Sequence, residues 1–123
     1  MNCPCGKDSS FAECCLRIHQ NIKLAESAEQ LMRSRYSAFV VKNIDFLYNS
    51  FHPNVRRFQS KKEIERWAFT SKWMKLEICK VSKFTVEFKA YYLDGNMQTH
   101  IHHEKSRFED LRGIWYYLDG EHF

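Results

Sequence analysis

The apolar residues of this chain change their spacing once, near Trp73, and that change restricts the fold more than any other feature. Before it they recur at helical intervals, with Met32, Tyr36, Phe39 and Val40 at i, i+4, i+7 and i+8. After it they alternate: Phe84, Val86, Phe88, Ala90 and Tyr92 interleave with Thr85, Glu87, Lys89 and Tyr91. A period of two buries one face of a strand and leaves the other in water. Helices first and half-buried strands second describe an α+β chain, in which N-terminal helices pack on one face of a curved antiparallel sheet.

Local signals set the boundaries. Ser27 and Gln30 have capping-box spacing and open a helix over 28–42, which Asn43 can stop. Ile44, Phe46, Leu47 and Phe51 predict a short second helix ending before Pro53, because a residue preceding proline is pushed out of the helical region. Residues 54–59 read as loop, and Ser60 with Glu63 caps a third helix carrying Ile64, Trp67 and Ala68 on one face. Leu76 and Ile78 begin the alternation, and Asp94-Gly95-Asn96 turns the chain so that residues 97–108 pair back antiparallel. A second turn at 111–113 leads to a last strand over 114–118. Ten Phe, six Tyr and three Trp in 123 residues supply a core that needs no disulfides.

Four of the five cysteines, Cys3, Cys5, Cys14 and Cys15, lie in the first fifteen residues. The first residues do not show the charged-then-apolar pattern of a signal segment, and no apolar run approaches the ~18 residues of a membrane span, so neither is expected. The expected location is cytoplasmic, where thiols stay reduced and a tight cysteine cluster reads as a metal site. Two short knuckles presenting four thiolates suit a structural zinc ion and leave no coordination position for substrate. His19 is an alternative fourth ligand in place of Cys15. The spacing C-x-C, eight residues, C-C resembles the SEC-C zinc motif, although the segment 7–13 lacks the motif's usual lysines. Residues 1–20 are therefore expected to form a zinc-binding head, an appendage too poor in apolar residues to own a core, and 21–123 the main domain.

The main domain carries a resemblance too. Residues 31–39 (Leu-Met-Arg-Ser-Arg-Tyr-Ser-Ala-Phe), Phe51-His52-Pro53, His103-Glu104-x-Ser106-x-Phe108 and Gly113-x-Trp115-Tyr116-Tyr117-x-Asp119-Gly120 together resemble the bacterial YchJ-like family. That resemblance implies a SEC-C motif joined to a nuclear transport factor 2-like domain, a cone of helices against a curved sheet. It brings no activity with it, since this fold serves enzymes, ligand binders and packed cores alike.

A cone encloses a pocket, for which Arg35, Tyr36, Glu104, Ser106, Phe108, Trp115 and Tyr117 are the candidate residues. Glu104, Ser106 and Phe108 share a strand face with His100 and His102. A buried, unpaired Glu104 would have a raised pKa and serve as a general base. Pairing with Arg35 across the sheet–helix interface is the expected, structural arrangement, with Arg33 and Tyr36 as further partners. His100, His102 and His103 could chelate a metal but read as an exposed polar strand, His52 as a capping or loop residue, and Cys79 as a small buried hydrophobe. Arg56, Arg57, Lys61, Lys62 and Arg66 lie beside Phe58 and Trp67, a pattern that can bind single-stranded nucleic acid. Here Glu63 and Glu65 interrupt it, and a net charge of +4 with pI near 8.8 argues against a nucleic-acid domain. The expected function is a non-enzymatic module whose zinc head meets a protein partner. The alternatives are a small ligand or substrate in the cone, and nucleic acid at 56–66.

Overall fold

The computed structural model describes residues 1–123. Five α-helices precede four strands: α1 (Cys15–Gln20), α2 (Ala28–Val41), α3 (Ile44–Asn49), α4 (Pro53–Arg56), α5 (Lys61–Thr70), then β1 (Lys72–Val81), β2 (Thr85–Leu93), β3 (Thr99–Leu111) and β4 (Ile114–His122). A single 3-10 turn, Ile22–Leu24, joins α1 to α2. No helix is long and apolar enough to cross a membrane.

The capping expectations have direct counterparts. Ser27 Oγ accepts from the Gln30 N–H at 3.1 Å, and Ser60 Oγ from that of Glu63 at 3.3 Å. The stop of α2 is Lys42, not Asn43. Lys42 takes a left-handed φ of 62°, and the N–H groups of Lys42 and Asn43 return to the carbonyls of Phe39 and Ala38 in a Schellman pattern. Asn43 instead starts α3, its side chain accepting from the Phe46 N–H at 3.1 Å. The loop expected over 54–59 begins as helix α4, because Pro53 occupies the first helical position, where its missing N–H costs nothing.

The sheet is an antiparallel meander in the order β1-β2-β3-β4. Register irregularities at Trp73/Lys75, Ile78/Lys80 and Arg107/Phe108 mark bulges, which bend strands and tighten twist. Arg112 and Gly113 both have positive φ, as a two-residue hairpin turn requires, and Asp110 Oδ1 accepts from the Gly113 N–H. The outer edge of β4 is covered: the His52 N–H donates to the Tyr117 carbonyl and the Tyr117 N–H to that of Ser50.

Val86, Phe88, Ala90, Phe108 and Trp115 on the inner sheet face pack with Leu31, Met32, Tyr36, Phe46 and Leu47 from the helices. The outer face is polar, with Arg107 bound through two nitrogens to Asp119 and Tyr91 donating to Glu77. Cys79 is on this outer face and exposed, contrary to the expectation of burial. Its neighbour Ile78 packs on the core, and alternation then turns Cys79 outward.

The head is not a free appendage. Ile18 of α1 belongs to the main core, the Cys3 sulfur lies 3.6 Å from Ser37 Oγ, and Arg33 donates to the Cys5 carbonyl at 2.7 Å. Ser34 and Ser37 are fully buried. Their small side chains let the knuckles approach α2, which is enclosed by the head on one side and the sheet on the other.

Candidate functional site

Two constellations hold the chemistry. The first is the cysteine cluster, where Cys3, Cys5 and Cys15 are buried and Cys14 is half-buried. All five cysteines are free thiols. The four sulfurs of the head lie within 4.8 Å of one another, with Cys5 to Cys14 at 3.7 Å and Cys14 to Cys15 at 4.0 Å. A tetrahedral ion with bonds of about 2.3 Å places its sulfurs about 3.8 Å apart, so this set fits a metal ion and is far from disulfide distance. Gly6, at φ 94°, turns the first knuckle, and Phe11 packs against the cluster. Among these closely spaced thiols the interaction between Cys5 and Cys15 holds Cys5 below its ordinary range and pushes Cys15 above it, so the first negative charge settles on Cys5. His19, the alternative ligand, is engaged elsewhere: its Nε2 donates to the Ser34 carbonyl at 2.7 Å, and its ring packs between Phe11 and Phe46.

The second is a cavity of about 270 Å³ between α2, α5 and the inner sheet face. Tyr36, Phe39, Trp67, Trp73, Phe88 and Tyr117 supply aromatic wall, and exposed Glu63 and His122 bring its rim to solvent. Of the seven pocket candidates, Arg35, Tyr36, Glu104, Ser106, Phe108 and Tyr117 line it. Trp115 does not. It faces inward but packs in the core beside Phe84, at 5.7 Å between ring centroids.

Glu104 is the polar centre. Its Oε1 accepts from His102 Nε2 at 2.8 Å, while Oε2 accepts from Ser106 Oγ at 2.5 Å and Tyr117 Oη at 2.7 Å. Burial works to raise its pKa, but these three donors outweigh it and hold the carboxyl at about 2. The expected Glu104–Arg35 ion pair is not formed. Arg35 donates to the Leu47 carbonyl at 2.8 Å and to Ser50 Oγ at 2.5 Å, closing the end of α3, and its guanidinium lies 4.3 Å from the Tyr117 ring centroid. Tyr117 thus stands between the two charges. Burial lowers the Arg35 pKa to about 10, against the upward pull of Tyr117 and Glu104, and raises that of Tyr36 to about 12.

The remaining candidates separate. His102 is on the inner face beside Trp67, not in the exposed strand expected of it, while His103 pairs with Glu87 outside and His100 with Asp94 at the strand's start. His52 caps α4 through Nδ1, which accepts from the Asn54 N–H, and its Nε2 faces Glu109. The basic run is no continuous free patch: Arg56 donates to the Asn49 and Phe51 carbonyls, and Lys61 pairs with Asp45. Sequence reasoning missed Gly120 and His122. Gly120 stands opposite Ser106, and a Cβ there would overlap the Glu104 carboxylate. Both residues face inward only because the β3–β4 bulge changes the parity of β4 after Tyr117.

Known proteins match this arrangement along most of its length. A UPF0225 protein of Photorhabdus laumondii is 42% identical over 125 residues, covering 96% of this chain and 79% of its own length. A UPF0225 protein of Haemophilus influenzae is 37% identical, covering 96% and 76%. The solution structure of a SEC-C motif containing protein from Rhodopseudomonas palustris has a TM-score of 0.89 at 33% identity, covering 98% of both chains. The crystal structure of a SEC-C motif containing protein from Psychrobacter arcticus has a TM-score of 0.76 at 30% identity, covering 95% of this chain and 80% of its own. Residues 27–120 match the family described as the YchJ middle NTF2-like domain, and the chain therefore belongs to the YchJ (UPF0225) family, a SEC-C cysteine head on an NTF2-like cone.

Proposed function

We propose that the protein is a binding module: residues 1–20 hold a structural zinc ion on Cys3, Cys5, Cys14 and Cys15, and the cone of residues 21–123 receives a small, largely apolar molecule. The observation that carries this reading is an aromatic-walled cavity that reaches solvent and has in its wall one carboxylate that accepts from three donors. Glu104 accepts three hydrogen bonds and is too weakly basic to abstract a proton near neutral pH, which favours binding over general-base catalysis. Zinc is the ion that four thiolates at tetrahedral separations suit, with no position left for substrate. A head seated on α2 acts first as a prop for the cone. Recognition of that head by a macromolecular partner has fewer surfaces available than a free knuckle would offer.

The test is an NMR titration of the full zinc-loaded chain with indole, benzylamine and benzoate as probes. Trp67 and Trp73 line the cavity and Trp115 does not, so the three indole N–H resonances give two reporters and an internal control. Saturable shifts of Trp67 and Trp73 with Trp115 unmoved, abolished by Ala90→Leu, are the expected result. No saturable shift with any probe, or equal shifts of all three indoles, would reject the cavity as a binding site.

A further inference from the structure

The inner face of β3 and β4 holds a second set of ligating side chains, apart from the cysteine head. His102, Glu104 and His122 place one ligand atom each within a sphere where no pair exceeds 4.8 Å. Glu104 Oε1 lies 2.8 Å from His102 Nε2 and 3.8 Å from His122 Nε2, and the two imidazole centroids are 4.8 Å apart. An ion with bonds of about 2.0–2.2 Å to nitrogen and oxygen needs its ligand atoms roughly 3–3.5 Å apart. The trio brackets that separation, and His122, with 66% of its side chain exposed, is free to adjust.

The surroundings orient these ligands. Glu104 Oε2 is occupied by Ser106 and Tyr117, which leaves Oε1 as the oxygen turned toward both imidazoles. The bare Cα of Gly120 makes room for the carboxylate. The His102 ring stands edge to face with Trp67 at 5.0 Å, so its direction is set by packing. Outer contacts that fix ligand geometry in this way are characteristic of metal sites. All three residues line the cavity, so coordination positions not filled by protein face the aromatic chamber.

We propose that His102, Glu104 and His122 bind a divalent transition-metal ion, distinct from the cysteine-bound one and open to the cone. Two imidazoles and one carboxylate suit Zn²⁺, Fe²⁺, Co²⁺ or Ni²⁺ and disfavour Ca²⁺ and Mg²⁺, which prefer oxygen alone. The open positions would accept an oxygen or nitrogen donor from a small molecule in the chamber. This goes beyond the ligand-binding reading and stands without it, because the ion is assayed alone.

The experiment uses the full chain, reduced and loaded with one equivalent of zinc, then titrated calorimetrically with further Zn²⁺. A second equivalent is expected to bind and to shift the imidazole resonances of His102 and His122. His122→Ala, at an exposed position that leaves folding intact, should weaken this second equivalent by about tenfold or more while the first is retained. His103→Ala serves as the control, because Cys79, Glu87 and His103 form another cluster on the outer face. Absence of a second equivalent at about 0.1 mM free ion overturns the proposal. Loss in His103→Ala with retention in His122→Ala overturns it as well.

Discussion

Gly120→Ala puts the centre of the site under direct load. Gly120 sits beneath the Glu104 side chain, and a Cβ there would lie 2.1 Å from Oε2, 2.4 Å from Cδ and 2.7 Å from Cγ. The backbone at this position is not left-handed, so the methyl brings no dihedral strain, and in a strand Ala is otherwise favoured over Gly by about 0.5–1 kcal/mol. The cost arises entirely from the carboxylate, which must leave its three donors. Against the upward push of burial, those donors bring the Glu104 pKa from 4.5 to about 2, and at about 1.4 kcal/mol per tenfold in ionisation constant this net preference of the carboxylate for its pocket over water is worth about 3 kcal/mol. In a domain of this size, about 3 kcal/mol lowers the melting temperature by roughly 10 °C. The sign follows from a depressed native pKa: the contribution is fully present above pH 4.5 and lost as pH falls toward about 2. The gap between wild type and Gly120→Ala, read by urea unfolding across that range, should therefore be widest at neutral pH and narrow in acid, where only the displacement of a neutral carboxyl remains. In a Glu104→Ala background the same substitution should cost almost nothing. A neutral-pH loss below about 1 kcal/mol, or an equal loss in the Glu104→Ala background, would refute the reasoning.

Three further outcomes are expected. Cys14→Ser, or strong chelation, should lower a single cooperative melting transition of the whole chain, since Ile18 and Cys3 tie the head to the core; calorimetry showing an unmoved main transition would contradict this. Tyr117→Phe removes one donor from Glu104, so its carboxyl pKa, followed by carbon NMR, should climb from about 2 toward 4.5, and a static value would mean that the phenol does not hold the charge. Arg35→Met leaves Ser50 and the end of α3 without their buried cation and should cost about 2–3 kcal/mol in urea unfolding, a midpoint equal to wild type counting against that role.

What could be read from the residues divides along physical lines. Helix starts were legible where a side chain caps its own backbone, as at Ser27 and Ser60, because that chemistry is local. The strands were legible through alternation, which reports burial of one face and placed Glu104, Ser106 and Phe108 together on the inner side. Alternation from the inward Ile78 also favours an outward Cys79, although Cys79 is the extra residue of the bulge between Ile78 and Lys80. Its apolar flanks concealed a parity that the same rule supplies. The helix end before Pro53 is legible, but the helix that starts at Pro53 is not, because proline both ends a helix and begins one, and only the cap from His52 decides between them.

The site itself depends on relations that no local pattern contains. Arg35 and Glu104 carry opposite charge and line one cavity, yet Tyr117 takes the carboxylate with its hydroxyl and the guanidinium with its ring face, which separates the pair while keeping both charges compensated. His122 and Gly120 would face solvent if β4 alternated strictly from Tyr117, and the bulge opposite Arg107 and Phe108 turns them inward. A single irregularity in the pairing of β3 with β4 therefore completes the polar centre of the cone. The buried serines of α2 follow the same logic. An apolar stripe predicts one covered face, but Ser34 and Ser37 lie on another, and their burial is explained only when the head is placed against them, His19 at Ser34 and Cys3 at Ser37. A metal in the head would therefore act on the cavity without touching it, by holding α2 between the knuckles and the sheet that carries Glu104.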